Sequence, residues 1–120
     1  MRIAIALGDP NGIGPEVALK AALATKGNVR PLLVGDAHVI EKTAERLQVD
    51  TPAFIDAPAL EEAAFAPGEL DPRAGKATVA YATEAVKLAL AGKVDKALDR
   101  RAEAVGIAGR ITLDHQRRHE

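Results

Sequence analysis

Ile3-Ala4-Ile5-Ala6-Leu7-Gly8-Asp9-Pro10-Asn11-Gly12-Ile13-Gly14-Pro15-Glu16 reads as a strand, a glycine turn and the start of a helix. Residues 3–7 are apolar without a break rather than alternating, which argues for a strand covered on both faces, as in a parallel sheet. Gly8, Gly12 and Gly14 tolerate φ above zero or allow another group close to the backbone, while Pro10 and Pro15 fix φ near a helix-entry value. Pro15 suits a first helical position, and Glu16 places a carboxylate where it complements the helix dipole.

Outward from this turn, Val17, Ala18, Ala21, Ala22 and Leu23 recur at helical spacing up to Thr25, and Gly27-Asn28 closes the helix. Residues 31–35 are a second short apolar run, entered at Pro31 and left at Gly35-Asp36. The expected result is a βαβ unit, with residues 3–7 and 31–34 as neighbouring parallel strands and the first helix as a right-handed crossover. Asp36 is positioned to cap the next helix, in which Val39, Ile40, Thr43, Ala44 and Leu47 share one face. Residues 53–56 form a candidate third strand. The connection over 57–73 contains Pro58, Pro67, Gly68 and Pro72, so it reads as a loop or a short helix around 60–64, long enough to cover something. Residues 74–92 give the strongest helix, with Val79, Ala82, Val86, Ala89 and Leu90 as its inner face, widened by Tyr81, Ala85 and Leu88. Lys76, Thr83 and Lys87 mark its wet stripe.

Gly8, Gly12 and Gly14 follow the pattern G-x-x-x-G-x-G, which is not the dinucleotide fingerprint. The longer string over residues 7–17 resembles the N-terminal signature of the 4-hydroxythreonine-4-phosphate dehydrogenase family. It is similar, less closely, to the Gly-Asp-Gly-Ile-Gly-Pro-Glu opening of isocitrate and isopropylmalate dehydrogenases. Ala74-Gly75, Tyr81, Gly92, Val94 and Asp95 stand at matching offsets, so the resemblance covers about residues 2–95.

This resemblance implies part of an α/β domain of the isocitrate and isopropylmalate dehydrogenase type. It also implies oxidation and decarboxylation of 4-phosphooxy-L-threonine, or of a related substrate such as a threonate phosphate or an aromatic dihydrodiol. NAD or NADP would be the cofactor, together with a divalent metal held by three histidines. Those histidines lie beyond the matched region, and no position here corresponds to them, so no metal ligand and no catalytic residue is assigned. Gly8, Asp9, Asn11, Gly12 and Gly14 are the candidate cofactor-binding residues. For Asp9, bracing the loop through backbone N–H groups outweighs a contact to a cofactor ribose. A purely geometric role for the glycines is the simpler alternative, and a homodimer is compatible with the resemblance.

From residue 96 the match stops. Asp99, Arg100 and Arg101 are costly to bury in a parallel strand, so an exposed helix running to about Val105 is expected. Residues 96–120 lean basic against an acidic body, and the switch resembles an unrelated C-terminus appended to a truncated dehydrogenase. The chain is thus divided at 95 into an α/β portion and a divergent charged tail. His115 and His119 are spaced i,i+4 as in a metal pair, but no third ligand accompanies them in the sequence, and a solvated tail is the better reading. His38 reads as an ordinary histidine at the start of a surface helix.

The 120 residues suffice for one modest core, and with 2% aromatics that core must be built from Ala, Val, Leu and Ile. A net charge of −1 gives no field for nucleic acid or an anionic membrane, and no apolar run reaches membrane-spanning length. The chain has no cysteine and no signal-peptide pattern, which makes a cytoplasmic location the default. The alternative function is a small α/β binding or interaction module without dehydrogenase activity.

Overall fold

A computed structural model describes residues 1–98. In chain order these form β1 (Arg2–Ala6), α1 (Gly14–Ala24), β2 (Arg30–Gly35), α2 (Ala37–Leu47), β3 (Phe54–Asp56), a 3₁₀ turn (Glu62–Ala64), α3 (Pro72–Leu90) and β4 (Lys96–Leu98). The strands make one parallel sheet in the order β3-β2-β1-β4. Ile5 of β1 stands opposite Leu33 of β2 on one side and Leu98 of β4 on the other. The expected βαβ unit is therefore present, and the chain steps from β1 outward to β3 before returning to the far side of β1. With right-handed crossovers that path puts α1 and α2 on one face of the sheet and α3 on the other. Ala4, Leu19, Leu33, Val34, Ile40 and Tyr81 lie in the core between these layers.

Two helices differ from expectation in rotational phase. The buried residues of α1 are Pro15, Ala18, Leu19 and Ala22, whereas Val17 is 51% exposed and Leu23 also faces outward. The glycine turn sets this phase: a Cβ on Gly14 would lie 2.3 Å from the Leu7 carbonyl oxygen, so the helix starts pressed against the end of β1. In α3 the inner face is Ala74, Ala77, Tyr81, Ala85, Leu88 and Ala89, and Val79, Val86 and Leu90 are exposed. Alanines let α3 approach the sheet closely, and Tyr81 spends its length reaching inward to Asp36.

The helix expected from residue 96 is corrected at its beginning, because Lys96–Leu98 is a strand paired with β1. Of its three residues only Ala97 is fully buried, so the strand tolerates Lys96 at its entrance. The charged residues that argued against a strand begin at 99, and the rest of the expected helix lies outside the described residues. The sheet accordingly continues across the boundary drawn at 95. A chain ended after Asp95 should be less stable than one ended after Leu98 by about 2 kcal/mol, the worth of a few ladder hydrogen bonds and one buried alanine. Equal urea midpoints for the two chains would show that β4 contributes nothing.

Candidate functional site

The glycine turn sits at the carboxyl end of β1, where the strand order reverses: β2 and β3 follow on one side and β4 on the other. In open α/β sheets such a switch point leaves a crevice outside the strand ends, the usual place for a ligand. Gly8 leaves the strand with φ of +77°, a conformation that disfavours any side chain. The Asp9 carbonyl accepts from Gly12 N–H at 3.0 Å, and its Oδ1 accepts from Asn11 N–H at 2.8 Å. Asp9 thus braces the turn, as weighed from the sequence, while remaining exposed on its surface. Gly12 is exposed too, and a Cβ there would meet only ordinary contacts at 3.6 Å.

Asn11 is turned inward and only 2% exposed. Its Nδ2 donates to the Ala64 carbonyl at 3.3 Å, its Oδ1 accepts from Ala66 N–H at 2.9 Å, and its own carbonyl accepts from Gly68 N–H at 2.6 Å. Of the five candidates, Asp9 and Gly12 therefore face outward, Gly8 and Gly14 give the turn its geometry, and Asn11 holds the connection between β3 and α3.

A second polar centre, which sequence reasoning missed, lies at the carboxyl end of β2. Asp36 makes no side-chain capping bond to α2. That task passes to Asp56, whose Oδ1 accepts from Ala37 N–H at 2.9 Å. Asp36 is instead buried at 3% exposure, with Oδ1 accepting from Ala59 N–H and Oδ2 from Leu60 N–H, both at 3.0 Å. The Tyr81 hydroxyl donates to Oδ2 as well. Burial, followed by the bond to Asp36 and its charge, pushes the Tyr81 hydroxyl far above its ordinary pKa. His38 is largely packed: its Nε2 lies 2.7 Å from the Leu60 carbonyl and 3.7 Å from Asp36 Oδ1, and its ring meets Phe65 edge-on at 5.9 Å. The signals for this centre were a Gly-Asp pair ending a strand and a single tyrosine on an alanine-rich helix face.

Among the described residues no three His, Cys, Asp or Glu side chains converge to hold a metal ion, so these residues do not fit the metal that the resemblance implies. His115 and His119 lie outside the described residues.

No family model matches the chain. It is 38% identical over 100 residues to a 1,2-dihydroxy-3,5-cyclohexadiene-1,4-dicarboxylate dehydrogenase of a Comamonas species, covering 78% of this chain and 31% of that protein. Identity to a 4-hydroxythreonine-4-phosphate dehydrogenase of a Synechococcus strain is 39% over 101 residues, or 77% of this chain and 30% of the other. Among solved structures, a terephthalate 1,2-cis-dihydrodiol dehydrogenase from Burkholderia xenovorans superposes with a TM-score of 0.71 and 40% identity. That match covers 81% of this chain and 32% of the neighbour. The chain spans about a third of the length of the relatives it matches.

Proposed function

We propose that this chain, which through its N-terminal part belongs to the 4-hydroxythreonine-4-phosphate dehydrogenase family, supplies the glycine-turn portion of a nicotinamide-dependent dehydrogenase acting on a hydroxyl-bearing carbon. The observation that carries this reading is the turn itself: a matched string lying at the switch point of a sheet that superposes on dehydrogenases. The substrate class is a phosphorylated hydroxy acid or the related cis-dihydrodiol, since relatives named for the two chemistries match equally well. A bound nicotinamide would accept the hydride from the carbinol carbon. Toward it this chain offers Asp9 and Gly12 on the open side of the turn, with Gly8, Asn11 and Gly14 holding their backbone in place. A free-standing binding module finds no support in relatives that are dehydrogenases about three times as long.

The 120 residues do not complete such an enzyme, because oxidation of this kind needs a polarising group, a substrate site and a held nicotinamide together. Purified chain should give no NADH absorbance with hydroxythreonine phosphate, threonate phosphate or a cis-dihydrodiol, whether divalent metal or chelator is added. Turnover that a chelator abolishes would show that the chain builds a metal site of its own and would overturn the incomplete-enzyme reading.

A further inference from the structure

Asn11 and Asp36 come from different strand ends, yet each spends its side chain on the same segment, residues 57–71. Both polar atoms of the Asn11 carboxamide bond to that segment, at Ala64 and Ala66. Both oxygens of Asp36 do so at Ala59 and Leu60, and His38 adds a bond to the Leu60 carbonyl. Between the two hooks there is little slack. Ala64 N–H donates to the Glu61 carbonyl at 2.9 Å and Phe65 N–H to the Glu62 carbonyl at 3.1 Å, closing a 3₁₀ turn, and Leu60 and Ala64 are both buried. A displacement at one hook therefore reaches the other instead of being absorbed by the chain between them.

We propose that this segment is a two-point strap through which the buried Asp36 and Tyr81 pair sets the shape of the glycine turn. Asp36 and Tyr81 are then positioning residues: their side-chain hydrogen bonds go to the strap and to each other, and they hold the strap that Asn11 grips. The coupling is a property of the fold and stands whether or not the turn receives a cofactor. Coupling between two sites is reciprocal, so loosening Asn11 must be felt at Tyr81, and loosening Tyr81 must be felt at the turn.

The chain contains one tyrosine and no tryptophan, so its intrinsic emission reports Tyr81 alone. A carboxylate accepting from the phenol quenches that emission. In the 120-residue chain, Asn11→Ala is expected to raise Tyr81 emission and to speed amide exchange at Ala59 and Leu60 by about tenfold. Reciprocally, Tyr81→Phe should speed exchange at Gly12 and Gly68 by about the same factor. The control is Ala22→Gly in α1, which weakens the fold away from the strap and should shift all protected amides alike. Where Asn11→Ala does not fold, Asn11→Asp answers the same question, since it keeps the acceptor for Ala66 N–H and loses the donor to Ala64. Wild-type emission and exchange at Ala59 and Leu60 in the Asn11 variant would overturn the coupling. So would an Ala22→Gly pattern indistinguishable from that of Asn11→Ala.

Discussion

Gly14→Val is expected to destabilise the chain by about 3 kcal/mol or more, whereas Gly12→Val, two residues earlier in the same turn, should stay within about 1 kcal/mol. The difference is one of space rather than of dihedral preference, because neither glycine has φ above zero. A Cβ on Gly14 would lie 2.3 Å from the Leu7 carbonyl oxygen and 3.3 Å from Asp9 N and Gly8 C. All three are backbone atoms directly after a strand that pairs with β2 along its length and with β4 over Ile3–Ile5, so none can swing aside as a side chain would. Relief requires α1 to lift from β1, exposing Ala18 and Leu19, which are buried beneath it. A Cβ on Gly12 meets nothing closer than 3.6 Å. Thermal melts decide the matter: for a domain of this size the Gly14 variant should melt about 12 °C or more lower, and the Gly12 variant by only a few degrees. Equal shifts would mean that the turn has the slack this geometry denies it.

The crowding at Gly14 also explains why the fold was more legible in the sequence than the helix faces. An unbroken apolar run, a glycine turn and a helical repeat specify strand, turn and helix by local chemistry, and β1, α1 and β2 followed. Rotational phase is decided by contacts far apart in sequence. Val17 and Leu23 are better hydrophobes than Ala18 and Ala22, yet they face outward because Gly14 is pressed against Leu7. Val79 and Leu90 likewise yield the inner face of α3 to alanines and Tyr81, whose partner Asp36 is 45 residues away. β4 was hidden for a related reason: with three residues and only Ala97 buried, it carries no periodicity, and pairing with β1 alone makes it a strand. At the candidate site the bracing role of Asp9 was readable from turn chemistry. The commitment of Asn11 and Asp36 to residues 57–71 was not, because their partners are backbone groups on which the side chains there leave no mark.

Asp36→Ala should be the most damaging polar substitution, at about 3 to 5 kcal/mol, because it strands Ala59 N–H, Leu60 N–H and the Tyr81 hydroxyl in a buried site. Asp36→Asn keeps an acceptor oxygen and should cost less. Tyr81→Phe removes one bond to a charged acceptor and should cost about 2 kcal/mol. A pH series tests the burial and hydrogen bonding of this hydroxyl together. The Tyr81 pKa is raised in the folded chain above its value of about 10 in the unfolded chain. The hydroxyl therefore contributes its full stability below pH 10 and loses it as the pH rises further, when the unfolded chain releases the proton and the folded chain retains it. The gap in urea stability between wild type and Tyr81→Phe should be flat from about pH 7 to 9, then close by up to about 1.4 kcal/mol per pH unit above 10. A gap that stays constant to pH 11 would show that the hydroxyl is not held by Asp36 and that Tyr81 acts through its ring alone.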